Sequence, residues 1–131
     1  MRKQILNPDW PRSAQADFAQ GIKCGDTIYV SGQVAQAPDG SLVGDGDMEA
    51  QARQVFTNVG AVLELGGASL HDIVRITTYV TDMSQYAGYA KVRKELFPAA
   101  DIASATVASP VLVRPGFLIE IEATAIVGAS S

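Results

Sequence analysis

Apolar side chains change their spacing four times along this chain, and that change of period constrains the fold more than any other feature. Thr27-Ile28-Tyr29-Val30-Ser31 alternates apolar and polar residues, the period of a half-buried strand. From about Asp47 the spacing turns helical. Val55, Val59 and Val62 fall at i, i+4 and i+7, flanked by Ala52, Phe56 and Leu63. Asp47 suits the N-cap of this helix, and Gly66-Gly67 ends it where a left-handed residue is wanted. Asp72 to Asp82 returns to period two, with Val74, Ile76 and Val80 on one side and Arg75, Thr77 and Tyr79 on the other. Ser84 to Phe97 is helical again through Tyr86, Tyr89, Val92 and Leu96, and Pro98 stops it. Two more strands fit Ser104–Ser109 and Leu118–Val127. Ala37-Pro38-Asp39-Gly40 is a turn signal, read as joining a short hairpin, and residues 1–15, with Pro8 and Pro11, read as irregular.

The resulting order, β-β-α-β-α-β-β, predicts an α+β domain with its helices on one face of a mixed sheet. No linker or internal repeat divides residues 1–131, a length usual for one domain. Ile28, Val30, Val74, Ile76, Val80, Ile119, Ile121, Ala123 and Ala125 are expected to face the helices. The other face would carry Tyr29, Ser31, Arg75, Thr77, Glu120, Glu122 and Thr124. That face is too polar for a core and too rich in charge and hydroxyls to be incidental. Burial against another copy of the chain is the expected use.

Composition excludes several classes. A net charge of −4 with no run of Lys or Arg argues against nucleic-acid binding. The single Cys24 can form neither an internal disulfide nor a cysteine zinc site, and no His/Cys/Asp cluster has metal-ligand spacing. No metal and no cofactor are expected. No stretch has the apolar length of a membrane span or a signal peptide, so no membrane association and a cytoplasmic location are expected.

Three segments carry a resemblance. Gln20-Gly21 precedes a strand ending Val30-Ser31-Gly32-Gln33. The helix reads QARQVFTNVGAVLELGG, and the C-terminal part reads VRPGFLIEIEATAIV around an E-I-E-A core. In order and spacing, over about Phe18 to Val127, these resemble the RidA/YjgF family. The resemblance implies a chorismate-mutase-like fold and a homotrimer with small-molecule clefts between subunits. It also implies hydrolysis of enamines or imines such as 2-aminoacrylate, and some members carry an endoribonuclease label.

Imine hydrolysis needs a carboxylate to handle water, donors for the intermediate, and a grip on the substrate's own carboxylate. By the resemblance, Glu120 is the water-activating glutamate, Ser31 the cleft serine, and Gly32 the backbone lining the pocket beside it. The family's arginine, a bidentate carboxylate grip, would fall at Ala103 or Ser104, neither of which can replace it. A family cysteine becomes Ala105, a cleft tyrosine becomes Phe18, and a helix asparagine becomes Ala90. A charged hydrogen bond contributes about 1.5–3 kcal/mol, so the arginine's absence weakens binding of a small amino-acid imine by roughly ten- to hundred-fold. The chain therefore reads as an arginine-less member whose ligand differs from 2-aminoacrylate, or whose grip comes from elsewhere.

Arg114, before the last strand, and Arg75 are candidate substitute anchors, although Arg-Pro-Gly also serves as turn chemistry. Glu122 reads as a structural partner of Arg75, and Tyr86 and Tyr89 as packing. His71 reads as a loop or helix-end residue and Cys24 as structural. Two functions stand in the lead: an enamine or imine hydrolase of deaminase type, and a non-catalytic trimer that binds or senses a small ligand. Ribonuclease activity ranks last, since the chain has neither a basic groove nor a histidine pair.

Overall fold

The computed structural model describes residues 2–130. Six strands and two helices follow one another as β1 (Lys3–Leu6), β2 (Gly21–Cys24), β3 (Thr27–Val34), α1 (Met48–Leu65), β4 (Ile73–Val80), α2 (Tyr86–Leu96), β5 (Ala103–Ala108) and β6 (Ile119–Ile126). They form one mixed sheet in the order β1-β2-β3-β6-β4-β5. Only the β4–β5 pair is parallel.

This order explains the placement of the helices. β3 and β4 both run antiparallel to β6, so they are parallel to one another, and α1 is the crossover between them. α2 is the crossover from β4 to β5. Both crossovers step the same way across the sheet, and right-handed connections then put both helices on one face. The gap left between β3 and β4 is filled by the last strand. β6 thereby becomes a central strand, paired on both edges.

The core lies between the helices and the sheet. Val55, Val59, Val62 and Leu63 of α1 meet Ile28, Ile76, Ile119, Ile121 and Ala125 of the sheet, all with essentially no exposure. Phe56 and Phe97 pack edge to face at 5.7 Å, which ties α1 to the end of α2. α1 is capped by Asp47, whose carboxylate accepts from the Ala50 N–H at 3.1 Å, and it ends at Gly66, followed by Gly67 at φ 84°.

Four details depart from the sequence reading. Residues 1–15 are not wholly irregular: Lys3–Leu6 is an edge strand, laddered to β2 from Lys3↔Cys24 to Leu6↔Gly21. It shows no alternation because only Leu6 is buried. The hairpin at this end of the sheet turns at Gly25-Asp26, between β2 and β3, and adds a strand to the expected order. The Pro38-Asp39 turn instead closes a loop held by the single bridge Gln36↔Leu42. On β4, a register shift between Ile73 and Arg75 sends Ile73 into the core and leaves Val74 half-exposed. Thr78 is the third inward residue of β4. It is tolerated there because its hydroxyl donates to the buried Tyr89 hydroxyl at 2.8 Å.

Candidate functional site

Glu120 stands near the start of the central strand, on the face away from the helices, opposite Val34 of β3 and Tyr79 of β4. It is half-buried, and burial raises its pKa above the ordinary carboxylate value. The like charge of Glu122, two residues along the same face, raises it further. Glu122 accepts a hydrogen bond from the Tyr79 hydroxyl at 2.7 Å. Its expected partner, Arg75, lies opposite Thr124 and forms no ion pair among the described residues, so Glu122 is held by a tyrosine instead.

Beside Glu120 the ladder is broken by design. Between Val30↔Ala123 and Gln33↔Ile121, β3 carries one residue more than β6, a bulge at Ser31-Gly32. The bulge turns the Gly32 backbone toward the Glu120 side chain. A Cβ on Gly32 would lie 2.9 Å from the Glu120 carboxyl carbon, so only glycine leaves that carboxylate in place. The glycine of the Gln20-Gly21 motif has a similar cause, since a Cβ there would overlap Val62 of α1.

Glu120 and Gly32 form one wall of a pocket of about 440 Å³, a size that suits a small metabolite. Phe18, Gln20, Val113 and Arg12 supply other parts of its lining. Arg12 has no counterpart in the sequence reading. Its Nε donates to the Ala37 carbonyl at 3.2 Å, Nη2 makes a long contact of 3.5 Å to Gln33 Oε1, and its guanidinium lies 4.0 Å from the centre of the Trp10 ring. Burial lowers its pKa. Neither a periodicity nor a motif marks Arg12. What brings it here is the Pro38 carbonyl, which accepts the Arg12 backbone N–H at 3.3 Å and docks the N-terminal segment on the Ala37–Gly40 turn.

The remaining candidates are placed as follows. Ser31 adjoins the pocket, with its hydroxyl donating to the Ala19 carbonyl at 2.7 Å and so tying the 16–20 segment to β3. Ala103 lies on the open face of β5, in register with Arg75, and Ala105 with Thr77. Ser104 lies on the opposite face. It lines a second groove of about 770 Å³ between β5 and α2, with Tyr86, Ala90, Arg93, Lys94 and Thr106. Within one chain, therefore, Ser104 and Glu120 belong to different concavities. Arg114 pins the loop turn: Nη2 donates to the Gly40 carbonyl at 2.6 Å and to Gln36 Oε1 at 3.3 Å, and the guanidinium covers the Phe117 ring. His71 is exposed on a short turn before β4. Cys24 ends β2, half-buried. Tyr89 is fully buried, and Tyr86 packs edge-on against it at 5.7 Å.

Among the described residues no three His, Cys, Asp or Glu side chains are grouped to hold a metal ion, and no helix is long and apolar enough to cross a membrane. What the Glu120 pocket offers is a half-buried carboxyl with its pKa raised, a backbone stretch against it, and a cation on another wall. Residues 10–127 match the family described as Endoribonuclease L-PSP. The chain belongs to this family, the RidA/YjgF family of the motifs above. A RutC family protein of Pyrococcus abyssi is 33% identical over 125 residues, which cover 95% of this chain and 98% of that one. The Rid family protein YyfA of Yersinia pestis is 32% identical, with a TM-score of 0.87 over 96% of this chain and 100% of that one. The YjgF gene product of E. coli is 30% identical, with a TM-score of 0.82 over 94% and 98%. The α+β, YjgF-like fold is thus shared along nearly the whole chain.

Proposed function

We propose that this member is a hydrolase of deaminase type that acts on a small enamine or imine, working as a homotrimer with its clefts between subunits. The observation that carries the reading is Glu120: a half-buried carboxyl with its pKa pushed up, set against the Gly32 bulge in a pocket of metabolite size. A carboxyl whose pKa lies above the ordinary carboxylate value, raised by burial and by Glu122, suits both halves of the chemistry. As carboxylate it takes a proton from water while the oxygen adds to the C=N carbon. As carboxylic acid it returns that proton to the nitrogen of the resulting carbinolamine, whose collapse gives a carbonyl product and ammonia. The backbone around Gly32 would steady the intermediate, while Ser31, whose hydroxyl is committed to the Ala19 carbonyl, holds the 16–20 segment beside it. Because Ala103 and Ser104 stand at the family's arginine position, 2-aminoacrylate is not its expected preferred substrate. The favoured ligand is larger, or is gripped in another way.

The experiment is ammonia release from a panel of imines generated in situ, for the native chain and for Glu120→Gln. Turnover in the native chain that falls by at least a hundredfold in the variant, with the assembly unchanged, is the expected result. Full activity in Glu120→Gln would overturn the assignment. A ligand that stabilises the native chain but is never consumed would favour the non-catalytic binding trimer.

A further inference from the structure

The Glu120 pocket contains one cation, and its charge is not balanced. Arg12 forms no ion pair among the described residues, and apart from the donations to Ala37 and Gln33 its N–H groups have no acceptor there. A guanidinium half removed from water without a counter-charge is costly, and the lowered pKa reports that cost: burial is its cause, with no acidic neighbour offsetting it. Glu120 shares the pocket yet lies beyond ion-pair distance, and its own pKa is raised, so it does not neutralise Arg12.

The guanidinium is nevertheless held in place. Trp10 stacks on one face, the Ala37 carbonyl fixes Nε, and the Arg12 backbone is bonded to Pro38. The Gln33 amide that touches Arg12 is itself anchored, since its Nε2 donates to Gln20 Oε1 at 2.9 Å and to the Ser31 carbonyl at 3.2 Å. A fixed, half-desolvated planar fork with unused N–H groups is the arrangement that recognises a carboxylate. Arg114, Arg75 and Arg93 are occupied or placed elsewhere. Arg114 is spent on Gly40 and Gln36, Arg75 lines a different part of the open face, and Arg93 donates to Tyr86 in the groove behind β5.

The geometry points to Arg12 as the group that binds the substrate's carboxylate in the Glu120 pocket, supplying from the N-terminal segment the grip that Ala103 and Ser104 cannot give. The ligand class is a small anionic imine or enamine, with the carboxylate at Arg12 and the C=N carbon within reach of water held by Glu120. The naming of an imine rests on the hydrolase reading; the carboxylate grip does not.

Binding of a stable oxo acid separates the two. The affinities of 2-oxobutyrate and of its neutral amide, 2-oxobutanamide, are measured by calorimetry or ligand-observed NMR for the native chain, Arg12→Gln and Arg12→Lys. The native chain should prefer the acid, and Arg12→Gln should lose roughly ten- to hundred-fold in acid affinity with the amide unchanged. Arg12→Lys, which keeps the charge but not the fork, should fall between them. Retention of the acid preference in Arg12→Gln overturns the assignment. So does an equal loss for acid and amide, the mark of a merely structural role, or native protein that binds neither probe. Native protein that binds the acid through Arg12 but releases ammonia from no imine would instead overturn the hydrolase reading and leave the carboxylate grip standing.

Discussion

At Glu120 burial and the charge of Glu122 act in the same direction, and their joint sign fixes a pH dependence. A general base works only when ionised. A raised pKa therefore places the acid-side loss of activity at higher pH than an ordinary carboxylate would give. Glu122→Gln removes the repulsive part and leaves burial in place, so the acid limb of kcat should move to lower pH. A pH profile of ammonia release checks this, and an unmoved limb would mean that another group controls it. Gly32→Ala tests the geometry in place of the charge. The added methyl pushes against the flexible end of Glu120, so thermal stability should change little. A displaced carboxylate should nonetheless cost about a hundredfold in kcat, and a variant of native activity would show that Glu120 need not sit where it does. Glu120 and Gly32 could be picked out beforehand because they lie in motifs whose spacing survives in this chain. Arg12 could not. It belongs to a segment with neither period nor motif, and only the docking of residues 10–13 on the Ala37–Gly40 turn brings it to the pocket.

Elements with a clean period were legible, and those fixed by long-range pairing were not. α1, β4 and β6 alternate or repeat strongly enough to be placed within a few residues, whereas β1 owes its existence to the β2 ladder alone. The polar residues buried by α1 were likewise invisible, because an apolar stripe says nothing about which amides lie along its border. Gln51 and Asn58, seven residues apart on that border, are both buried. Gln51 donates to the Gly44 and Gly116 carbonyls at 3.1 and 2.8 Å, and its Oε1 accepts from the Leu118 N–H at 2.8 Å. Asn58 donates to the Val34 and Gln36 carbonyls at 3.1 and 3.0 Å. The helix thus staples the two chain segments that lead into β6 and away from β3, the strands that carry Glu120 and Gly32. Gln51→Ala leaves three backbone groups without their partner and should cost about 3 kcal/mol in denaturant unfolding. A loss below about 1 kcal/mol would show that water replaces the amide.

On the scale of the molecule, one chain leaves its chemistry divided. Glu120 and Arg12 share one pocket, while Ser104 lines another behind β5. The open face of the sheet carries Tyr29, Arg75, Thr77, Val107 and Glu122, a surface with both apolar and charged members. Tyr29 is 55% exposed and Val107 45%, and Val111 and Val113 in the loop before β6 reach 77% and 75%. Large apolar side chains left this open are what an interface would cover. The proposed trimer would cover them by packing open faces together and would bring the β5 edge of one copy against the Glu120 pocket of the next. Its polar members also explain why the face could be singled out from the sequence as unfit for a core, while its geometry could not: strand order depends on where β6 inserts, which no local pattern records. Light scattering of the native chain should therefore give a mass about three times 13.8 kDa. Val107 sits on the open side of the edge strand, in register with Tyr79, so a charge there meets the partner without disturbing the core. Val107→Glu should yield folded monomers with native helix content and greatly reduced ammonia release. A variant that is monomeric yet fully active would confine the reaction to the single-chain pocket, and a native chain that is itself monomeric would remove the trimer altogether.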